Sequence, residues 1–221
     1  MRIRPILFNT DMVRAILDGR KTVTRRIIKG FIPKDATWGY SALTPNGSIS
    51  CRGTFAVGYG EKFFKLPCQT GDILYVRETW HKDISRYMYR ANYADNEKFY
   101  RNGKETEIKW HPSIHMPKEA ARIWLKVKDV RVERLQDIKN VYNEGIHFCD
   151  CPAGYTWKDT TDMHNCYTDP VGAMEALWDS TIPKGQQDLY SWAANPWVWV
   201  IEFERCEKPE AAGEDEHNDK K

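Results

Sequence analysis

The sequence predicts an α+β fold in which a mixed or antiparallel β-barrel carries short helices at its ends and long loop inserts. Several segments alternate apolar and polar side chains with the period of a strand, whereas the helical patterns are short. The elements do not follow the regular strand–helix–strand order of a parallel sheet. The 41% hydrophobic content, with 9 Trp, 11 Tyr and 8 Phe, is typical of a folded globular chain.

A short helix is predicted near the amino terminus. Thr10 can cap its first turn and Gly19 can end it. Its apolar face carries Met12, Val13, Ile16 and Leu17. The next segment, KTVTRRIIK, is predicted to be extended because it is rich in β-branched residues. Since Lys21 and Thr24 would lie on opposite faces of a regular strand, their convergence on one site requires a turn or a bulge between them.

Three further strands are predicted in the body of the chain. GDILYVRETW indicates a turn at Gly71 and Asp72 followed by a strand, and PWVWVIEFE indicates a closing strand. In RIWLKVKDVRVERL the apolar positions change parity, which predicts a bulge near Lys128 and Asp129. Those positions are Ile123, Leu125 and Val127, then Val130 and Val132.

Two more helices complete the prediction. QDIKNVYNEGI is expected to form a short helix that ends at Gly145. DPVGAMEALWDSTI is expected to form another, with one apolar stripe made of Val171, Met174, Leu177 and Trp178. Residues 1–206 are predicted to be a single domain with inserts near 31–70, 81–118 and 147–168, followed by a disordered charged tail at 207–221.

Charge is distributed unevenly along the chain. Residues 1–29 hold eight Lys and Arg against two Asp, a balance of +6, although the whole chain is only +2. A basic amino-terminal region suits a phosphate-bearing partner, and a solvated charged face is the alternative interpretation. The sequence shows neither an apolar run long enough to cross a bilayer nor a signal peptide, which predicts a cytoplasmic protein with no membrane partner.

The six cysteines raise the question of a metal site. In a cytoplasmic protein they argue against a disulfide framework. Four soft ligands lie close together in sequence, with His147 as a fifth candidate; they are Cys149, Cys151, His164 and Cys166. They suit a small zinc loop, but the C-x-C and H-x-C gaps are one residue shorter than usual. Reduced cysteines in an insert therefore remain the alternative.

Segments in the same order along nearly the whole chain carry a family resemblance. GRKTVTRR after a short helix, GDILYVRETW, RIWLKVKDVRVERLQDI with NEGI, and NPWVWVIEF together resemble the ASCH domain, especially its longer phage and prophage members. Gly19, Lys21 and Arg26 form the Gly-x-Lys-x-x-x-x-Arg element. The resemblance implies a PUA-like β-barrel with a cleft for RNA, a nucleotide or a modified nucleoside.

The resemblance also implies a chemistry. Some small ASCH proteins are amidohydrolases that remove the acetyl group of N4-acetylcytidine with a Lys, a Thr and a Glu, and the matching positions here are Lys21, Thr24 and Glu144. A threonine hydroxyl becomes a useful nucleophile when a base is within reach, and lysine is a base when its pKa is depressed. Glu144 would either position the lysine or shuttle a proton to the leaving amine. No cofactor is required, apart from the structural zinc considered above.

Other candidates for contacts to a nucleotide or RNA surround these positions. Arg20, Arg25 and Arg26 are predicted at the mouth of the cleft, where they could hold phosphates. A second wall is predicted from Glu144 and from the strand that ends in Arg77, Glu78 and Trp80. Trp80 could stack on a base, and His115 is a further candidate. Packing is the alternative for Trp80, and a structural role is the alternative for His115.

Three functions follow from these patterns. The first is an ASCH-type nucleoside- or RNA-binding protein that acts as an amidohydrolase on N4-acetylcytidine-like substrates. The second is a non-catalytic RNA- or DNA-binding module of phage or prophage origin. The third is an interaction protein that presents its aromatic inserts to a host protein. A Lys21–Thr24–Glu144 cluster would favour the first, whereas a broad basic surface would favour the second.

Overall fold

The computed structural model describes residues 1–210 except 31, 33–36, 42–51, 58–59, 65, 85, 102, 150–153 and 159–164. Its centre is a five-stranded sheet, with strands numbered along the chain. The spatial order is β1 (Ile3–Leu7), β6 (Ile73–Arg77), β11 (Trp124–Arg134), β14 (Trp197–Cys206) and β2 (Val23–Ile27). β1 runs parallel to β6 and the other neighbours are antiparallel, so the predicted mixed α+β architecture is confirmed.

The sheet is open in the described part of the chain. β1 and β2 are its two edges, and no backbone ladder joins them there. A side chain does connect these edges, because Nη2 of Arg26 donates to the carbonyl oxygen of Leu7 at 2.6 Å. The predicted closed barrel is therefore not formed by these five strands.

Two helices pack on opposite faces of this sheet. Helix α1 (Thr10–Leu17) shares an apolar cluster with Ile201 and Phe203 of β14. Helix α2 (Pro170–Ser180) shares another with Val198 and Val200, which have the opposite parity on the same strand.

The starts of both helices are set by side-chain caps. The predicted cap Thr10 is instead the first helical residue, because extended Asn9 accepts the Met12 amide at 2.8 Å. Asp169 caps α2 by accepting the amides of Val171 and Gly172. Val171 was expected in the apolar stripe of α2 but is 46% exposed. The buried stripe consists of Ala173, Met174, Leu177 and Trp178.

The predicted strands agree with those observed. β11 contains the expected bulge, since its register with β14 shifts between Val127 and Asp129. The GDILYVRETW strand ends at Arg77, and Trp80 begins a separate hairpin. That hairpin pairs β7 (Trp80–Lys82) with β8 (Tyr87–Tyr89).

The predicted inserts carry small structures of their own. In the first, β3 (Thr37–Ser41), β4 (Arg52–Val57) and β5 (Gly60–Phe64) form an antiparallel sheet. The next two carry the hairpins of β9 (Phe99–Arg101) with β10 (Lys104–Thr106), and of β12 (His147–Phe148) with β13 (Tyr155–Thr156). Helix α3 (Gln187–Tyr190) precedes β14. The predicted tail falls mostly outside the described residues, from 211 onward.

The helix predicted over QDIKNVYNEGI is wrong. Only a 3-10 turn, Leu135–Asp137, forms there, and successive turns follow. The side chain of Asn140 accepts the amide of Tyr142 at 2.9 Å, a local bond that competes with helix formation. Glu144 consequently lies on a turn, and its backbone pairs with Lys21 in an isolated antiparallel bridge.

Candidate functional site

Lys21 is placed in the interior by the turn that follows α1. Gly19, with φ of +76°, reverses the chain, and the amide of Lys21 donates to the carbonyl of Ala15 at 3.0 Å. The side chain of Lys21 is 0% exposed. Its Nζ donates to Oε2 of Glu144 at 2.6 Å and to the Glu144 carbonyl oxygen at 3.0 Å. A buried ion pair therefore forms at the predicted catalytic lysine.

The required irregularity between Lys21 and Thr24 is present. The amides of Thr22 and Val23 both donate to the carbonyl oxygen of Asn143, at 2.9 and 3.0 Å. Two consecutive donors on one acceptor break the strict alternation of a strand. Both Lys21 and Thr24 are buried as a result, and the prediction of a turn or bulge between them is confirmed.

Glu144 is held by a second cation. Nη1 of Arg25 donates to Oε1 of Glu144 at 2.7 Å, and Nη2 of Arg25 donates to Oε2 of Glu133 at 3.2 Å. Each oxygen of the Glu144 carboxylate thus receives a charged donor. Because the Arg25 side chain is only 4% exposed, it fixes Glu144 instead of lying at an open mouth as predicted.

Burial and the neighbouring charges shift the pKa of Lys21. Burial is the main cause that lowers the pKa of Lys21 below its ordinary 10.5, since an ammonium loses its hydration there. Glu144 raises this pKa, whereas Arg26 and Arg25 lower it further. The repulsion expected from the neighbouring arginines therefore acts in the predicted direction, but desolvation outweighs it.

A cavity of about 60 Å³ adjoins this cluster. It lies between α1, β2 and α2, and its lining residues are Met12, Thr24, Arg25, Arg26, Glu144, Met174, Leu177, Trp178 and Thr181. Pockets for drug-sized ligands have volumes of roughly 300–1,000 Å³, and a water molecule takes about 30 Å³ of the liquid. In this conformation the cavity admits a small group and not a whole nucleoside.

The two other arginines of the GRKTVTRR segment also make contacts with other residues of the protein. Arg20 donates to the carbonyl oxygen of Gly145 at 3.1 Å, to Nδ1 of His147 at 3.2 Å and to Asp18 at 2.8 Å. The guanidinium of Arg26 lies 5.1 Å from the ring centroid of Phe8. Both side chains remain half-buried, so each keeps some surface toward solvent.

Of the predicted second wall, Glu144 does line the cavity, but the strand that precedes Trp80 does not. In the sheet, β6 is separated from β2 by β11 and β14, and α2 covers the cavity instead. Four predicted contact residues therefore do not line the cavity described above. These are Arg77, Glu78, Trp80 and His115.

Those four residues have other surroundings. The 1% exposed carboxylate of Glu78 accepts two bonds from Arg122, both at 2.9 Å, which stabilises a buried charge. Trp80 packs on His111 with ring centroids 5.1 Å apart. The guanidinium of Arg77 lies 5.9 Å from the ring centroid of Tyr75, and His115 is exposed on a 3-10 turn.

The predicted metal ligands are described only in part. Cys149 and Cys166 lie with their Sγ atoms 3.3 Å apart. Cys151 and His164 lie outside the described residues. Among the residues that are described, no group of three or more His, Cys, Asp or Glu side chains could hold a metal ion.

Sequence reasoning missed the contribution of α2 to the cavity. The apolar stripe containing Met174, Leu177 and Trp178 was visible, but it predicts only that the helix packs against something. The sequence likewise identified Arg25 only as a positively charged residue. Its pairing with Glu144 joins positions 119 residues apart, and no local pattern records such a contact.

The chain matches no protein-family model, no curated protein and no solved structure. Within the described residues, each helix is too short or too polar to span a membrane. The ASCH resemblance accordingly stays a prediction based on the quoted motifs.

Proposed function

We propose that the protein binds a modified nucleoside, free or within RNA, and hydrolyses the acyl group of an N4-acetylcytidine-like substrate. The observation that supports this best is the buried Lys21–Glu144 pair beside a small cavity lined by Thr24 and Glu144. Burial lowers the pKa of Lys21, which donates to the Glu144 carboxylate, and Thr24 lines the same cavity as Glu144. These are the groups that acyl transfer through a threonine ester requires.

The proposed fold is a PUA-like barrel with one open seam. Its support is the contact between Arg26 and Leu7, which joins the two edge strands of the central sheet. The seam lies beside the candidate site because Arg26 also lines the cavity. A sheet whose two edge strands are in side-chain contact lacks only the backbone hydrogen bonds between them to be a closed barrel.

The mechanism follows from which groups reach the cavity. Glu144 lines it, and Lys21 lies behind Glu144 at 2.6 Å. Thr24 attacks the acyl carbonyl, and its proton passes to the Glu144 carboxylate, which Lys21 and Arg25 hold in place. The proton then passes from Glu144 to N4 as the C–N bond breaks, which leaves an ester on Thr24. Water hydrolyses that ester to release the carboxylic acid and restore the hydroxyl.

The size and lining of the cavity indicate which part of the substrate enters. About 60 Å³ suits an acyl group, and Met12, Met174 and Leu177 provide apolar contacts for its methyl end. The pyrimidine ring would then remain at the mouth. Small acyl groups are therefore expected to be hydrolysed faster than bulky ones.

The test is hydrolysis of N4-acetylcytidine by purified protein. We expect Thr24→Ala to lower kcat/KM by at least about 10³-fold, because it removes the nucleophile, and Thr24→Ser to retain measurable turnover. Thr22→Ala, two residues away on the same segment, is the matched control and should keep most of the activity. Absence of turnover by the folded wild type, or full activity in Thr24→Ala, would reject this mechanism.

A non-catalytic nucleic-acid-binding role is the second candidate. The observation that favours it is the +6 balance of residues 1–29, together with the half-buried Arg20 and Arg26. Binding through phosphate contacts weakens steeply as the salt concentration rises. Tight, salt-sensitive RNA binding by a protein that lacks turnover would support this candidate over the enzyme.

A further inference from the structure

A second cavity, of about 260 Å³, lies along the edge strand β1, and we call it the edge cavity. Residues 4–7 of that strand line it. Leu74 of β6 and Ile201 of β14 give it a buried apolar lining. Arg26 also lines the smaller cavity beside α2, but the other described lining residues of the two cavities differ. The edge cavity is therefore a site separate from the one proposed for hydrolysis.

The charges described in the edge cavity are all positive. Arg4 and Arg26 both line it, and no acidic side chain is among the described residues that do so. Cys68 lines it too, but burial raises the pKa of the Cys68 thiol to about 12, so this sulfur is neutral at physiological pH. A cavity with this charge favours an anionic ligand.

Arg4 has a buried donor with no acceptor. Within the described part of the chain, Nε of Arg4 is buried and makes no hydrogen bond. Oδ2 of Asp72 lies 3.8 Å from it, which is too far for a hydrogen bond. The Asp72 carboxylate instead accepts the backbone amides of Arg2 and Gln69, at 2.8 and 3.0 Å. Since a buried donor without an acceptor is costly, this nitrogen is suited to a ligand oxygen.

Arg26 is fixed in position and keeps donors for a ligand. Its Nη2 donates to the Leu7 carbonyl oxygen, and a guanidinium has five N–H donors in all. Burial lowers the pKa of Arg26, and the charge of Glu144 raises it. Both carboxylate oxygens of Glu144 already accept from Lys21 and Arg25. An anion in the edge cavity would therefore give Arg26 a counter-charge of its own.

We infer that the edge cavity binds a small phosphate monoester, with Arg4 and Arg26 as its phosphate ligands. The planar guanidinium fork matches two phosphate oxygens at once, and a monoester carries nearly two negative charges at neutral pH. Ile6, Leu74 and Ile201 would contact the organic group of the ester. The volume is slightly below that of pockets for drug-sized ligands, roughly 300–1,000 Å³, so the organic group is compact.

Calorimetric titration of the full-length protein with phenyl phosphate tests this inference. We expect saturable binding at least about tenfold tighter than that of inorganic phosphate, which lacks the apolar contacts, and no measurable binding of uncharged benzyl alcohol. Arg4→Met should weaken the binding of phenyl phosphate at least about tenfold, because a charged donor is lost. Arg2→Met is the matched control, since Arg2 is exposed at the same end of the chain and is not among the residues lining the cavity, and it should bind like the wild type.

Amide NMR shifts of the wild type locate the ligand without any variant. Shifts induced by phenyl phosphate at Ile6, Leu7 and Leu74 would support the edge cavity, whereas shifts confined to Thr24 and α2 would place the ligand in the smaller cavity and overturn the inference. No saturable binding by the folded wild type, equal affinity for inorganic phosphate or benzyl alcohol, or undiminished binding by Arg4→Met would also overturn it. None of these measurements requires turnover, so failure of the proposed enzymatic function leaves the inference standing.

Discussion

At the scale of single residues, Lys21 and Glu144 show how burial converts ordinary charges into a candidate site. Alone, each would lose its hydration at a high cost in free energy. Paired at 2.6 Å, and with Arg25 on the other carboxylate oxygen, they remain inside the protein. Such buried pairs are weak evidence for stability, because well-packed apolar residues of similar size often stabilise as much or more. The proposed amidohydrolase activity would give this pair a role that stability alone does not explain.

The lowered pKa of Lys21 makes stability depend on pH. Between that lowered pKa and the ordinary 10.5, the unfolded chain binds more protons than the folded one. The free energy of unfolding of the wild type relative to Lys21→Met should therefore rise with pH across this window, by at most about 1.4 kcal/mol per pH unit.

Urea titrations between about pH 8 and 10.5 measure this difference. Lys126→Met, at an exposed position on β11, is the matched control and should show a flat difference. A flat difference for Lys21→Met as well would contradict a pKa lowered by burial.

At the scale of elements, the cavity depends on helix α2 being formed and correctly placed. Its first turn is held by Asp169, whose Oδ1 accepts the amides of Val171 and Gly172 at 3.0 and 2.8 Å. Its buried stripe packs against the sheet through Met174 and Leu177. The cap fixes where the helix begins, and the stripe fixes which side faces Glu144.

Removal of this cap should weaken the protein measurably. We expect Asp169→Ala to lower the free energy of unfolding by about 1 kcal/mol, because two amides lose their acceptor. Asp169→Asn keeps a side-chain oxygen at the same place and should cost only a fraction of that. Chemical denaturation of the three proteins makes the comparison. Equal loss in both variants would show that the charge, and not the cap, stabilises α2.

At the scale of the whole molecule, a side-chain contact links the two edge strands of the central sheet. β1 and β2 are connected by the bond from Arg26 to the Leu7 carbonyl at 2.6 Å. Phe8 lies beneath the Arg26 guanidinium and also packs on Phe203, so the amino-terminal strand is attached to the body at its end. The candidate site lies at the edge strand β2.

Arg26→Met tests this connection. We expect a loss of about 1 kcal/mol and faster amide hydrogen exchange in both β1 and β2, because the link between the edges is removed. Arg205→Met is the matched control, since Arg205 also donates to a carbonyl, that of Leu17 at 3.2 Å, but joins no sheet edges. Similar exchange patterns in the two variants would mean that Arg26 does not hold the edges together.

Local patterns predicted four of the five strands of the central sheet, all but β1, and the two helices that pack on it. The strands around Val23, Leu125 and Val200, helices α1 and α2, and the bulge at Lys128 each depend on side-chain periodicity and on residues close in sequence. The helix expected before Gly145 failed because the local bond of Asn140 and the tertiary pairing of Glu144 with Lys21 outweighed helical propensity. The observed start of α1 differs from the predicted one by one residue, because the capping side chain is Asn9 and not Thr10.

The sequence by itself determined that Lys21 and Thr24 needed an irregular backbone, and it identified α2 as amphipathic. Only the tertiary structure decided that Glu144 leaves a helix for a turn, that Arg25 holds it, and that α2 forms the opposite wall in place of the Trp80 strand. The physical reason is the distance along the sequence over which each effect acts. Propensity and periodicity act between residues close in sequence, whereas the partners of Glu144 lie 119 and 123 positions away and meet it only when the sheet has assembled.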